Sequence, residues 1–119
     1  MNNFKELKVW HKAVDLAVYI YKVTESFPEA EKFGMTSQMR RSATSISSNI
    51  AEGAGRNGKK EFANFLGIAN GSASELSSQL VIAGRLNYVT EVQITEADQL
   101  VMEIQKMLRS LHNKLNQHV

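Results

Sequence analysis

The chain has 119 residues, 43% of them apolar and 22% charged, which is the composition of one globular domain and excludes a disordered chain. It contains no cysteine, which excludes disulfides and thiolate metal sites. Its net charge of +2 is unevenly placed: residues 36–60 carry five Lys/Arg against Glu52 alone, while residues 61–119 carry four basic and six acidic side chains, so a polyanion would prefer the middle segment.

With a single proline, Pro28, and no run that alternates β-branched with polar residues, the chain reads as all-α. A first helix is expected over about residues 4–26, capped by Asn3 with Glu6 reaching back. Leu7, Trp10, Val14, Ala17 and Tyr21 fall on one face, taken as the core side. Ala13, Leu16, Val18 and Ile20 spread over the others, so the helix needs more than one apolar partner, and these four are the expected contacts with a second copy of the chain. Phe27-Pro28 stops the helix.

A second helix is expected over about residues 37–54, starting at Thr36 or Ser37, with Met39, Ala43, Ile46 and Ile50 at coiled-coil-like spacing. It is rich in serine, a mediocre helix former that leaves stability to packing. Gly53, Gly55 and Gly58 are expected to break it.

The third helix, about residues 59–86, repeats the seam as Phe62, Leu66, Ala69, Ala73, Leu76, Leu80 and Ala83. Beside it runs a stripe of small residues, Gly67, Gly71, Ser74 and Ser78. Each glycine costs a helix about 1 kcal/mol relative to alanine, which predicts a close helix contact in return. The fourth helix is expected over about residues 96–116, with Thr95 and Asp98 as its cap pair and Ala97, Val101, Ile104, Leu108, Leu111 and Leu115 as its seam. Four helices on short connections predict an antiparallel up-and-down four-helix bundle in one domain.

The opening Met1-Asn2-Asn3-Phe4-Lys5-Glu6 lacks the apolar core of a secretory signal. The longest strongly apolar, uncharged stretch, Leu16 to Tyr21, is too short to span a bilayer. A cytoplasmic location without a membrane partner is expected.

Three stretches, Phe4-Lys5-Glu6-Leu7-Lys8-Val9-Trp10-His11-Lys12-Ala13, Phe33-Gly34-Met35-Thr36-Ser37-Gln38-Met39-Arg40-Arg41-Ser42-Ala43 and Ser45-Ile46-Ser47-Ser48-Asn49-Ile50-Ala51-Glu52-Gly53, together with Phe62 to Ala83, resemble the four-helix proteins encoded in intervening sequences of some bacterial 23S ribosomal RNA genes. The resemblance implies a bundle that assembles into a ring, typically a homopentamer. A similar protein is the accessory variability determinant of diversity-generating retroelements, which implies RNA, DNA or a nucleic-acid enzyme as a partner.

The histidines His11, His112 and His118 lack the three- or four-residue spacing of a helical metal site. No nucleophile elbow or phosphate-cradling motif is present. The chain therefore reads as a non-catalytic binding scaffold without a cofactor or metal, with a protein-interaction module that ignores nucleic acid as the alternative. Arg56, Lys59 and Lys60, in a glycine-bounded turn at the start of the third helix, are the candidate polyanion contact, and Arg41, pointing outward at the start of the second helix, is a further candidate cation. For Arg40, which flanks the second seam, an interhelix ion pair with Glu75 is expected.

Overall fold

The computed structural model describes residues 3–116, and among them there is no strand. Four helices carry the chain: α1 (Lys8–Thr24), α2 (Met35–Ala54), α3 (Lys59–Arg85) and α4 (Glu91–Leu115). Short 3₁₀ turns, Phe4–Glu6 and Glu29–Glu31, precede α1 and α2. The helices contact one another in the cyclic order α1, α2, α3, α4 and back to α1, and neither diagonal pair approaches closely. The result is an elongated body of 47 × 23 × 20 Å.

The seams of α2, α3 and α4 lie where their spacing predicts. Met39, Ala43, Ile46 and Ile50 are fully buried, as are Ala69, Ala73, Leu76 and Ala83, with Phe62, Leu66 and Leu80 nearly so. On α4, Ala97, Val101, Ile104 and Leu108 are buried, while Leu111 and Leu115 close the core at its end. Each large side chain so buried contributes about 1.5–3 kcal/mol of transfer free energy, which offsets the weak helix propensity of the serines on α2.

On α1 the inward face is only partly the predicted one: Ala17 is buried, and Leu7 and Trp10 pack half-buried against the core. Val9, Ala13, Leu16, Ile20 and Val23 face the core, and Ala13, Leu16 and Ile20 have no exposed surface. These three therefore pack inside their own chain rather than against a second copy, whereas Val18 is 49% exposed. Both faces carry the same spacing. The winning one continues without interruption through Val23 to Phe27, whereas its rival ends at Tyr21, whose hydroxyl would need a buried partner. Tyr21 stays outside, as do parts of Trp10 and Val14.

The helix ends differ from expectation in specific ways. Asn3 caps the first 3₁₀ turn, its Oδ1 accepting from the Lys5 N–H at 3.0 Å, and extended Leu7 separates that turn from α1. The N-terminus of α2 begins at Met35, whose N–H donates to Glu31 Oε1 at 3.0 Å. Helix α4 starts five residues before its predicted start, because Thr90 and Gln93 form the capping box: Gln93 N–H donates to Thr90 Oγ1 at 3.1 Å, and Thr90 N–H donates to Gln93 Oε1 at 2.9 Å. At the end of α3, Asn87 adopts φ 63°, with Tyr88 N–H donating to Ala83 O and Asn87 N–H donating to Gly84 O. This is a Schellman cap built on asparagine.

Gly53 lies inside α2 rather than breaking it, packed directly against α3. A Cβ placed there would stand 2.7 Å from Phe65 Cβ and 3.0 Å from Phe62 Cδ1. By contrast, Gly67 and Gly71 have nothing within 4 Å of such a Cβ and lie exposed. The close helix contact expected from the small-residue stripe is thus made within the chain by Gly53, and the stripe itself faces outward.

Candidate functional site

The basic turn joins α2 to α3. Gly58, at φ 100°, turns the chain into α3 and offers no side-chain cap. The first N–H groups of α3 and the positive end of its dipole are therefore presented at the surface beside Lys59 and Lys60. Both lysines are exposed. Arg56 is held back: its Nε donates to Glu52 Oε2 at 3.0 Å, its Nη1 lies 3.6 Å from Glu61 Oε2, and its guanidinium stacks over the Phe65 ring at 5.0 Å. The two carboxylates offset most of the turn's charge. Arg56 and Lys59 line one shallow cleft with Asn57 and Gly58, and sequence spacing did not credit Glu52 and Glu61 as neighbours of Arg56.

Arg40 does not meet Glu75. It turns to α1, where its Nε donates to Thr24 Oγ1 at 2.8 Å, its Nη2 donates to Tyr21 O at 3.2 Å, and its guanidinium lies 4.5 Å from the Tyr21 ring centre. Thr24 Oγ1 in turn donates to Ile20 O at 2.7 Å. Arg40 and Glu75 line different clefts, so the arginine meets the free carbonyl acceptors at the C-terminal turn of α1 instead. The clamp fixes α2 to α1 and forms one wall of a largely apolar groove of about 680 Å³, which Val14, Val18 and Tyr21 also line. It is Arg41, exposed on α2, that shares a cleft with Glu75. Arg41 therefore borders α3's middle rather than the basic turn at α3's start.

The serines of α2 do structural work. Ser45 Oγ and Ser72 Oγ on α3 are 2.9 Å apart, and Asn49 Nδ2 donates to Ser45 O and Ser45 Oγ at 2.8 and 3.0 Å. Between α1 and α4, the Tyr19 hydroxyl donates to Glu96 Oε2 at 2.7 Å, and burial together with that carboxylate pushes its pKa up to about 12. A hydrogen bond to Glu31 at 2.9 Å is the main cause that raises the Tyr88 pKa.

His11 Nε2 lies 2.7 Å from Lys5 O, and Asn116 Nδ2 lies 3.2 Å from His112 Nδ1. His118 lies outside the described residues. Among the described residues no three His, Asp or Glu side chains converge on a metal position, and no helix is long and apolar enough to cross a membrane.

The fold is that of an all-helical protein of four helices, tied to one another by the Arg40–Thr24, Ser45–Ser72 and Tyr19–Glu96 contacts. The family model of the 23S rRNA-intervening sequence protein matches residues 5–110, and the chain belongs to that family. It is also similar to a crystal structure from Bacteroides thetaiotaomicron, a protein with unknown function from the S23 ribosomal protein family. The two share 32% sequence identity over 88% of this chain and 95% of the other, with a TM-score of 0.81. No curated protein matches the chain.

Proposed function

We propose that the chain is a non-catalytic scaffold of the cytoplasm, an antiparallel up-and-down bundle whose copies join head to tail into a ring that holds a nucleic acid or a nucleic-acid enzyme. One observation carries the assembly: two unlike apolar faces stand uncovered. Val18 and Tyr21 form one on α1; Ile68 and Ile82, about four turns apart on one side of α3, mark the other, all at 44–52% exposure. Joining two different faces of identical chains generates a ring when the rotation closes, and five copies is the number the family resemblance implies. The second α1 contact expected from sequence is thus reassigned from Ala13, Leu16 and Ile20 to Val18 and its exposed neighbours. Lys59 and Lys60, repeated around a ring beside uncapped α3 N-termini, supply a periodic phosphate contact.

The offset of Arg56 by Glu52 and Glu61 favours the second reading, a protein-interaction ring without nucleic acid. Native mass measurement and low-salt RNA filter retention separate the claims. A monomer at micromolar concentration refutes the ring. RNA retention that is salt-dependent and lost in a Lys59→Glu, Lys60→Glu double variant supports the nucleic-acid reading, and retention unchanged by that variant removes it.

A further inference from the structure

The outer face of α3 carries two glycines, Gly67 and Gly71, although glycine weakens a helix relative to alanine. A Cβ at either position would meet nothing within 4 Å, so no close approach inside the chain requires them. Ser74 and Ser78 continue the exposed stripe, which therefore steps by four, three and four residues. The groove between α1 and α2 is lined by a stripe with the same steps in larger side chains: Val14, Val18, Tyr21 and Glu25. The two stripes lie on opposite corners of the molecule, since α1 and α3 are a diagonal pair. They also run the same way. Lys12 meets Glu103 and Tyr19 meets Glu96, while Ser74 meets Gln105 and Gly84 packs against Ile94, so both helices run against α4.

Rotation about an axis along the bundle preserves helix direction, so opposite corners of successive copies meet in parallel. With Val14 level with Gly67, each larger side chain faces a small one: Val18 faces Gly71, Tyr21 faces Ser74 and Glu25 faces Ser78. In this register Glu75, which forms no ion pair among the described residues, stands level with Lys22 on the groove's rim. Arg40, held at Tyr21 and Thr24, stands at the same height with two of its five N–H donors in use. The reversed register would instead set Glu75 level with Ala17, in the apolar part of the groove. We infer that the groove receives α3 of a second copy, laid parallel to α1 with its small-residue stripe against the large one and its Glu75 beside Lys22 and Arg40. The inference rests on the head-to-tail ring and specifies which faces meet in it.

The test uses single-cysteine variants of a chain that has no cysteine of its own, mixed in pairs, reassembled and oxidised, with native mass recorded first. Glu25→Cys copies mixed with Ser78→Cys copies should give a disulfide-linked dimer on a non-reducing gel. Glu25→Cys mixed with Gly67→Cys, which the reversed register would join, should not, because a disulfide needs Cα atoms within about 7 Å. Gly71→Leu, at a position where a Cβ meets nothing in its own chain, should keep its helical circular dichroism and lose the oligomer. Gly71→Ala, still small, should keep both. A wild-type monomer refutes the ring reading and this inference with it. An oligomer that fails to cross-link in the first mixture, cross-links equally in the second, or survives Gly71→Leu overturns the inference and leaves the ring in place.

Discussion

Replacing Gly53 by alanine tests the packing at the α2–α3 crossing. In a solvent-facing helix interior the exchange stabilises by about 1 kcal/mol. Here the new methyl would sit 2.7 Å from Phe65 Cβ and 3.3 Å from Phe62 O, well inside the ~3.5–4.0 Å at which carbon atoms attract. Phe65 Cβ is fixed to its backbone and cannot rotate away. Relief requires the two helix axes to separate, which loosens Phe62, itself 96% buried by its 4% exposure. Overpacking of this kind costs about 1–3 kcal/mol. The 2.7 Å contact with an immobile Cβ puts the cost in the upper part of that range, about 2–3 kcal/mol; set against a propensity gain of about 1 kcal/mol, Gly53→Ala should destabilise by about 1–2 kcal/mol, lowering the melting temperature by roughly 4–8 °C. Gly71→Ala is the control. Its methyl meets nothing within 4 Å, and it should stabilise by about 1 kcal/mol. Thermal and urea unfolding followed by circular dichroism measure both, with native mass recorded so that altered assembly is not mistaken for altered folding. A Gly53→Ala protein as stable as the parent would show that the crossing yields freely and that the close approach is not what holds α2 on α3.

Arg40→Lys keeps the charge but loses the Nε donation to Thr24 and the stack on Tyr21; a loss of about 1–2 kcal/mol in urea unfolding is expected, and no change would remove the clamp as a stabilising element. Thr90→Ala deletes the cap of α4 and should cost about 1 kcal/mol, whereas Thr95→Ala, one turn into the helix, should be neutral or stabilising by the same measurement. Tyr19 keeps its proton in the folded protein to about pH 12, against about 10 for a free tyrosine, so its contribution is present below about pH 10 and is lost as pH rises toward 12. Spectrophotometric titration should show a tyrosinate step in that window that disappears in Tyr19→Phe; an unchanged titration would exclude the Glu96 contact as its cause.

The seams of three helices were legible because in each a single apolar stripe had no rival. Met39 through Ile50 on α2 could bury only one way. On α1 two stripes of equal spacing competed, and periodicity alone carries no information about which continues into the connector; Phe27, buried after the helix has ended, decided it. The α4 boundary was missed because Thr95 and Asp98 offered a plausible cap one turn beyond the real one, while Thr90 and Gln93 sat inside what read as a connector. Of the candidate surfaces, Lys59 and Lys60 were readable from local charge. The partner of Arg40 was not: Tyr21 O and Thr24 Oγ1 become acceptors only once α1 ends beside α2, and a backbone carbonyl carries no signature in the residue letters. The groove between α1 and α2 was invisible for the same reason, since its walls come from two helices and contain no motif.

Among the helix contacts, that of α1 with α4 joins segments farthest apart along the chain, and the Tyr19–Glu96 hydrogen bond spans 77 positions. The α2–α3 pair, by contrast, is joined by a four-residue turn and locked at Gly53. Loop closure penalises the distant pair and favours the near one. The order of assembly is therefore written into the connectivity: the α2–α3 hairpin can form early and template the rest, and α1 is sealed only when α4 arrives. In the finished molecule the same seam is the natural line of local opening, so amide hydrogen exchange should be fastest along α1 and α4 and slowest at the Gly53 crossing.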